Sequence, residues 1–212
     1  MENKEALDFF ERMSQNTNDQ KSVKLANASD FSQMDADFVL KYSNANTEIL
    51  DLGSGTGLVV NKIYDKVKRI VAVEPFESFT KFIVKSSNVE IVNHTFDDYT
   101  PSDSLFDLIT IFGTMHYFNE EESVKIYSKY FRNLKKGGRL IVKNQFGVTE
   151  DVTVEGYSEE QKTNYFAQYR HLDKEMANLR RIGFCKTESF DIYPPECNRW
   201  TNTHFYAIVA EK

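Results

Sequence analysis

The sequence predicts an α/β fold in which helices cover both faces of a mostly parallel β-sheet. Short apolar runs typical of strands alternate with helical patterns along most of the chain, and this βαβα order favours a parallel sheet. The run 108–112 is apolar except for Thr110, as expected of a strand buried on both faces. The last two strand-like runs have no helical pattern between them, so we expect an antiparallel pair to close the sheet.

Seven segments have the length and apolar content of strands, and four have helical periodicity. The predicted strands are 48–52, 70–74, 89–93, 106–112, 139–144, 184–193 and 204–210. The predicted helices are 58–66, 76–86, 120–134 and 170–182. Asn119 and Glu122 have the spacing of a capping box at the start of the third helix, and Ser158 and Gln161 offer a second one.

The first 45 residues lack this alternation. Leu7, Phe10 and Met13 share one face of a predicted short helix, and Ser32 is expected to cap a second helix that ends at Tyr42. We therefore predict an N-terminal helical lid over residues 1–45 and one compact α/β domain over residues 46–212.

The composition excludes several classes of protein. The chain has 212 residues, of which 41% are hydrophobic, with a formal net charge of −6 and no long basic run, so no nucleic-acid partner is expected. No stretch of about 18 apolar residues is present, so no membrane span is expected. The polar N-terminus is unlike a secretory signal, and Cys185 and Cys197 are too few for a disulfide scaffold. We expect a cytoplasmic protein with reduced thiols.

The strongest functional signal is a glycine-rich turn directly after the first predicted strand. Residues 49–57 read I-L-D-L-G-S-G-T-G and hold three of the chain's nine glycines. Glycine permits positive φ and lets a ligand approach the backbone, and the helix that follows presents unpaired N–H groups. The turn has neither the GxGxxG spacing of a dinucleotide site nor the Lys-Ser/Thr of a P-loop. Asp51 would repel a pyrophosphate, so it indicates a ligand with a cationic group.

A second acidic residue, Glu74, ends the next predicted strand 17 residues after Gly57. An acid at this position is placed to accept hydrogen bonds from the hydroxyls of a ribose; the alternative is a charged strand end on the surface. Phe76 is expected to pack beside the ribose or the base, or else to lie on the apolar side of the following helix.

These segments resemble the class I S-adenosylmethionine-dependent methyltransferases, and three further segments match that family in order. Residues 94–98 (H-T-F-D-D) are similar to the segment after its third strand, 106–109 (F-D-L-I) to its fourth strand, and 134–142 (L-K-K-G-G-R-L-I-V) to the approach to its fifth. The resemblance covers residues 45–212. It implies a Rossmann-like, doubly wound sheet of seven mostly parallel strands with an antiparallel last strand.

The resemblance also implies a cofactor, S-adenosylmethionine, with S-adenosylhomocysteine as its product. The ammonium and sulfonium of this cofactor suit Asp51, and its ribose suits Glu74. In the family an acid after the third strand contacts the adenine amine, and Asp97 is its counterpart here. The implied cofactor-binding residues are Asp51, Gly53, Ser54, Gly55, Gly57, Glu74, Phe76, Phe96, Asp97 and Phe112.

Missing motifs narrow the kind of methyltransferase. Residues 112–117 read F-G-T-M-H-Y, not the D/N/S-P-P-Y/F of nucleic-acid amino methyltransferases, and neither cysteine follows a proline as in the cytosine C5 enzymes. The ends of strands four and five lack the carboxylates that hold a divalent ion, so no metal is expected. The segment 113–118 is instead similar to one in small-molecule methyltransferases. His116 is expected to take a proton from an acceptor hydroxyl, unless it only shapes the loop.

The acceptor is expected to be a small polar molecule. Polar aromatic and arginine side chains of the late segments are candidates to bind it: Tyr165, Tyr169, Arg170, Arg199, Trp200 and His204. Residues 143–146 are expected to face the same cleft. Arginine pairs with planar anions and sugars stack on aromatic rings, so we expect O-methylation of a sugar, a phosphorylated compound or a surface-polysaccharide precursor.

Two questions stay open at this point. A carboxylate or phosphate acceptor would need no base, whereas a hydroxyl acceptor would. A non-catalytic S-adenosylmethionine-binding or regulatory protein remains the alternative function. A nucleotide-dependent oxidoreductase is disfavoured because the GxGxxG spacing is missing.

Overall fold

The computed structural model describes residues 3–20, 30–101, 105–158, 163–197 and 200–212. Nine strands lie within these ranges: β1 (Glu48–Leu52), β2 (Arg69–Val73), β3 (Val89–Val92), β4 (Phe106–Phe112), β5 (Leu134–Gly147), β6 (Val152–Ser158), β7 (Thr163–Tyr169), β8 (Lys186–Phe190) and β9 (Thr203–Glu211). Six α-helices accompany them: α1 (Asn3–Gln15), α2 (Ser32–Leu40), α3 (Val60–Ile63), α4 (Glu77–Thr80), α5 (Glu120–Phe131) and α6 (Leu172–Ile182).

Seven of the described strands form one sheet in the order β3-β2-β1-β4-β5-β9-β8. Strands β1 to β5 pair in parallel, and β9 runs antiparallel to both β5 and β8. This sheet confirms the predicted fold class, including the antiparallel last strand. The chain builds outward from β1 in one direction and then resumes at β4 on the other side. At such a reversal the carboxyl ends of parallel strands leave a crevice for ligands.

The two faces of the sheet bury separate apolar clusters. On one face Leu50 and Leu52 of β1 belong to the same cluster as Ile126 of α5. On the other face Ile49 clusters with Val60 of α3. Because alternate residues of β1 serve opposite faces, helices on both sides fix the strand whose carboxyl end carries the glycine turn. None of the helices within the described ranges is long and apolar enough to cross a bilayer.

The helix starts confirm one predicted cap and correct another. Asn119 Oδ1 accepts from the Glu122 backbone N–H at 3.0 Å, and Glu122 Oε2 accepts from the Asn119 N–H at 2.8 Å, so α5 begins with the predicted capping box. The predicted cap at Ser32 is wrong. Ser32 is the first residue of α2, and both its N–H and its hydroxyl donate to Asp30 Oδ1.

Helix α4 has four residues instead of the predicted span 76–86. The Asn61 side chain donates to the Phe82 carbonyl at 2.8 Å and accepts from the Val84 N–H at 2.8 Å. Because side-chain amides compete with helical hydrogen bonds for the backbone, these two contacts replace the helix with a turn.

A β-hairpin, formed by β6 and β7, was not expected from the sequence. It makes a separate two-stranded sheet. The predicted helix cap at Ser158 is wrong, because Ser158 ends β6 and pairs with Thr163 of β7; Gln161 lies outside the described residues. The segment 152–158 reads V-T-V-E-G-Y-S, and its alternation of apolar and polar residues is the strand signal that the capping spacing obscured.

Candidate active site

A cavity of about 320 Å³ lies at the carboxyl edge of the sheet, beside β1 and β4. Eight of the ten predicted cofactor-binding residues line it: Asp51, Gly53, Ser54, Gly55, Glu74, Phe76, Phe96 and Phe112. We call the part formed by Asp51, residues 53–55 and Glu74 the glycine-loop end. We call the part formed by Ser32, Asp35 and Lys143 the lysine end. Leu7 and Phe10 of α1 also border the cavity.

The glycine turn needs glycine for two different reasons. Gly53 has φ of +77° and hydrogen-bonds through its N–H to the Val73 carbonyl at 2.9 Å, and a Cβ there would lie 2.9 Å from Thr114 Cγ2. Gly55 has φ of +52°, yet a Cβ on it would meet no atom of the described residues within 4 Å. The space over Gly55 is therefore open, and a ligand can approach the backbone there.

The other two predicted cofactor residues do not line the cavity. A Cβ on Gly57 would lie 2.8 Å from Ile83 Cγ1, so this glycine permits close packing of the loop against residues 80–84. Asp97 is exposed, and its carbonyl oxygen accepts a hydrogen bond from Lys129 Nζ at 2.7 Å. Their direct contact with a cofactor remains a prediction.

Asp51 is a buried acid with no cationic partner among the described residues. Its Oδ1 accepts a hydrogen bond from the Thr110 hydroxyl at 2.5 Å. Burial raises the pKa of Asp51, because the charged form loses its hydration. A cationic ligand group in the cavity would favour the ionised carboxylate and would be held by it.

Glu74 directly follows β2 and forms one wall of the glycine-loop end. Its Oε2 accepts from the Gly55 N–H at 3.0 Å and its Oε1 from the Phe76 N–H at 3.3 Å. Burial, with a smaller contribution from the nearby Asp51, raises the pKa of Glu74 to about 7. A ligand that donates hydrogen bonds to this carboxylate would favour its ionised form.

Aromatic rings form the wall next to these acids. Phe96 stacks on Phe118 with ring centroids 5.9 Å apart, and Phe76 meets Phe79 edge to face at 5.9 Å. The Tyr130 hydroxyl donates to the Phe96 carbonyl at 2.8 Å and so fixes the backbone of this wall. All four of these rings line the cavity, so an aromatic wall lies beside Asp51 and Glu74.

His116 lies on the short 3-10 turn Met115–Tyr117 and does not line the cavity. Its Nδ1 is 3.4 Å from Asn144 Oδ1, and its ring centroid lies 4.1 Å from that of Tyr117 and 5.6 Å from that of Tyr169. Burial lowers the pKa of His116 to about 4. The imidazole is therefore neutral near pH 7 and a weak base, which argues against the expected catalytic role.

Arg170 corrects the predicted acceptor site. The side chain is buried, and its guanidinium donates to both Glu175 oxygens at 2.7 and 2.9 Å. It also donates to the carbonyl oxygens of Phe118 at 2.7 Å and Met115 at 3.0 Å. These contacts contradict a role in acceptor binding. Arg170 instead holds the turn from which Tyr117 and Phe118 reach the cavity wall.

None of the other predicted acceptor residues whose side chains the structure describes lines the cavity. Tyr169 is buried against His116, Trp200 is 42% exposed on the surface, and the His204 ring lies 6.3 Å from that of Tyr206. Tyr165 lies in β7, but its side chain is outside the described part of the structure, and so is the whole of Arg199. Acceptor binding by these residues stays a prediction.

The lysine end contains a cluster of three buried polar side chains. Lys143 Nζ donates to Asp35 Oδ2 at 2.8 Å and to the Tyr193 hydroxyl at 2.7 Å, and that hydroxyl donates to Asp35 Oδ1 at 2.7 Å. Lys143 is among the residues predicted to face the cleft, whereas Asp35 and Tyr193 were not predicted to be there. The available signal was a lysine inside an apolar strand, with an acid among buried residues of α2.

Two further features of the site concern polar groups. The buried Thr114 hydroxyl has no hydrogen-bond partner among the described residues, although Thr114 borders the cavity. Within the same ranges no three His, Cys, Asp or Glu side chains come together as a metal site.

Comparisons with known proteins agree with this geometry. Residues 49–138 match a family described as a methyltransferase domain. An uncharacterized methyltransferase of Staphylococcus carnosus (strain TM300) is 26% identical over 101 residues, which are 47% of this chain and 48% of that protein. The chain spans about half the length of the curated relatives it matches.

Two solved structures cover almost the whole chain. An S-adenosylmethionine-dependent methyltransferase of Leishmania major gives a TM-score of 0.73 at 17% identity, over 99% of this chain and 82% of that one. The 1,6-didemethyltoxoflavin-N1-methyltransferase of Burkholderia thailandensis, solved with 1,6-didemethyltoxoflavin and S-adenosylhomocysteine, gives 0.72 at 15% identity, over 97% and 86%. At this level of identity the likeness establishes the fold.

The chain therefore has the fold of the solved S-adenosylmethionine-dependent methyltransferases, and residues 49–138, less than half of its length, match the methyltransferase-domain family. The family model covers the segment from β1 to the start of β5, which carries the glycine-loop end of the cavity. The lysine end takes Ser32, Asp35 and Lys143 from outside that match.

Proposed function

We propose that the protein binds S-adenosylmethionine in this cavity and transfers its methyl group to a small polar acceptor. One observation carries the proposal: two buried acids, Asp51 and Glu74, have no cationic partner among the described residues and flank open space over the backbone of Gly55. Asp51 receives the ammonium of the methionine part, and Glu74 receives the ribose hydroxyls. Bound there, the cofactor supplies a methyl group that is already activated by the positive charge on sulfur.

The contribution of the chain is alignment and exclusion of water rather than activation of the leaving group. Phe96, Phe118 and Phe76 enclose the heterocycle, while Leu7 and Phe10 of α1 border the same space as a cover. The predicted division into a lid over 1–45 and a domain over 46–212 agrees with this arrangement and stays part of the proposal.

The acceptor we propose is methylated on oxygen, and the expected candidates are a sugar, a phosphorylated compound or a surface-polysaccharide precursor. Lys143 supports oxygen over nitrogen, because an ammonium hydrogen bonds well to an oxygen acceptor and repels a protonated amine. The Burkholderia relative methylates nitrogen, so the class of atom has to be tested directly.

The experiment is a calorimetric titration of the whole chain with S-adenosylmethionine, S-adenosylhomocysteine and NAD. We expect binding of the first two and none of NAD; binding of NAD alone would overturn the proposal. A second step incubates the protein with isotopically labelled methyl donor and a pool of small metabolites. Formation of S-adenosylhomocysteine with a labelled product is expected, and cofactor binding without product from any pool would favour the non-catalytic alternative.

A further inference from the structure

We infer that Lys143, held by Asp35 and Tyr193, binds an anionic oxygen of the acceptor, and that this oxyanion is the atom that receives the methyl group. The acceptor is therefore a small carboxylate or phosphate compound that reacts without a catalytic base. This inference rests on the proposed function and specifies the chemical class of its acceptor.

The position of Lys143 places it next to the cofactor rather than in its binding site. Phe112 of β4 pairs with Lys143 of β5, and Thr110 of β4 pairs with Asp51 of β1. Lys143 is thus two strands from Asp51 along the same edge, a lateral separation of about 10 Å at ordinary strand spacing. Both residues line the same cavity, so a small molecule fits between the lysine and a cofactor held at Asp51.

The hydrogen bonds of Lys143 leave it one donor. An ammonium carries three hydrogens, and Asp35 and Tyr193 accept two of them. The lysine also lies over the rings of Phe112 and Tyr193, 5.0 and 5.3 Å from their centroids. Its side chain is only 10% exposed. A donor fixed in this way is oriented before a ligand arrives, which lowers the entropy cost of binding.

Charge at the cavity wall points to an anion at the lysine end. Lys143 is the only lysine or arginine among the described residues that line the cavity, whereas Asp35, Asp51 and Glu74 are acids. In the proposed function Asp51 and Glu74 face the cofactor. An anionic acceptor consequently has one cationic side chain available to it, and that is Lys143.

Residues 113 and 114 tie the cavity wall to the lysine through the backbone, because the Gly113 N–H donates to the Lys143 carbonyl at 2.7 Å. Thr114 borders the cavity, but its hydroxyl is buried beneath the surface and lacks a partner among the described residues. An acceptor at the lysine therefore lies beside a fixed backbone, and the Thr114 hydroxyl is not one of its donors.

Among the described residues of the lysine end, the one carboxylate is that of Asp35. It is already paired with Lys143 and accepts a hydrogen bond from Tyr193. His116 does not line the cavity. An acceptor that is already an anion needs no base: a lone pair of its oxygen forms the O–CH₃ bond, the S–CH₃ bond breaks, and sulfur keeps the electron pair. No proton is transferred in this step.

The first test measures binding in protein saturated with S-adenosylhomocysteine. Acetate, inorganic phosphate and the neutral control acetamide are titrated while the ¹⁵N signals of the Lys143 ammonium and the Gly113 and Thr114 amides are followed by NMR. We expect a saturable shift of these signals with acetate or with phosphate, and none with acetamide. The oxyanion that binds identifies the source of the charge.

The variants separate a binding role from a structural one. Lys143→Met combined with Asp35→Asn removes both charges, so no buried carboxylate is left unpaired, and we expect at least tenfold weaker anion binding. Lys174→Met is the matched control, because it loses an ion pair with Glu120 and Asp151 without touching the cavity, and its anion binding should equal that of the unchanged chain.

The second test examines the labelled product. A methylated carboxylate releases labelled methanol in mild alkali, and a methylated phosphate survives alkali but carries the label on a phosphate oxygen by ³¹P NMR. A methyl ether or an N-methyl product would overturn the inference and leave the proposed function intact. The inference would also be overturned if the double variant bound the anion as tightly as the unchanged chain, or if neither anion gave a saturable shift. Failure to bind S-adenosylhomocysteine would instead overturn the proposed function.

Discussion

The two ends of the cavity hold their charges in opposite ways. At the glycine-loop end, Asp51 and Glu74 are bonded to Thr110 and to backbone N–H groups, with no cation from the described chain beside them. At the lysine end, Lys143 neutralises Asp35 inside a closed cluster. A cationic ligand therefore supplies the positive charge that the glycine-loop end lacks. At the lysine end, a ligand binds the Lys143 ammonium while that ammonium stays paired with Asp35.

This difference predicts unequal affinities. Burying an acid without a cation makes its ionised form costly. A cationic ligand that pairs with the acid offsets this cost, and the offset adds to its binding free energy. At the lysine end the ion pair already exists, and a ligand gains one further hydrogen bond. We therefore expect the protein to bind the cofactor tightly and the smaller acceptor weakly.

The largest effect is expected from Arg170→Met, on stability. The change leaves Glu175 buried without its cation and the Met115 and Phe118 carbonyls without their donor, which costs roughly 3–5 kcal/mol. Urea unfolding measures this loss. The exposed Arg180 of α6 is the control, and Arg180→Met should change stability by less than about 0.5 kcal/mol. Equal losses for both variants would refute a special role of Arg170 in holding the turn.

The second prediction concerns the open space over the glycine loop. Gly55→Val should weaken binding of S-adenosylhomocysteine at least 100-fold, about 2.7 kcal/mol, because the side chain fills the space that a ligand would occupy. Gly137→Val is a matched control: Gly137 also has positive φ and open space around it, but lies at the start of β5. We expect both variants to lose a similar amount of stability. Calorimetry should show a loss of affinity for S-adenosylhomocysteine in Gly55→Val only. Full affinity in Gly55→Val would place the cofactor elsewhere.

A third prediction uses the raised pKa of Glu74, about 7. Ribose hydroxyls donate to the ionised carboxylate, so affinity for S-adenosylhomocysteine should rise roughly tenfold or more from pH 5.5 to 7.5 and level off above that. Glu74→Gln should bind about tenfold more weakly at pH 7.5, within the usual range for a hydrogen bond to a charged group, and lose the pH dependence. A pH profile unchanged by the substitution would show that another group titrates.

The stability of the unliganded protein should change in the other direction. A carboxyl whose pKa is higher in the folded state binds its proton more tightly there, so its contribution is complete below pH 4.5 and is lost as the pH rises through about 7. The difference is roughly 3 kcal/mol. Chemical unfolding across this range, with Glu74→Gln as the reference, measures it. Affinity and stability with the same pH trend would contradict this assignment.

The sequence predicted the glycine-loop end well because its groups are contiguous. Asp51, Gly53 and Gly55 lie within one strand and its turn, and Glu74 follows at the end of the next strand, so the parallel pairing of β1 and β2 brings them together. The lysine end joins residues 108 and 158 positions apart. No local pattern encodes such a contact, and only the packed fold brings these side chains together.

The predictions for Arg170 and for residues 152–158 were wrong because local sequence patterns do not show how a segment packs. Arg170 resembles an anion-binding residue by type, but it is bonded to Glu175 and to two carbonyls that the fold brings beside it. The spacing of Ser158 and Gln161 predicted a helix cap, whereas residues 152–158 form β6 of the β6–β7 hairpin. Residue type predicts what a side chain can do, and burial decides whether it is available to do it.

The smallest effect is expected from His116→Asn, which tests whether the lysine end works without a base. The imidazole lies off the cavity wall, and its burial lowers the pKa to about 4, so removing it should change single-turnover methyl transfer less than about threefold. Loss of a general base typically costs 10²- to 10⁴-fold. His171→Asn, at a second half-buried histidine outside the cavity lining, is the control for the substitution itself. A loss of 100-fold confined to His116→Asn would restore the histidine as the base and would require an acceptor that carries a proton.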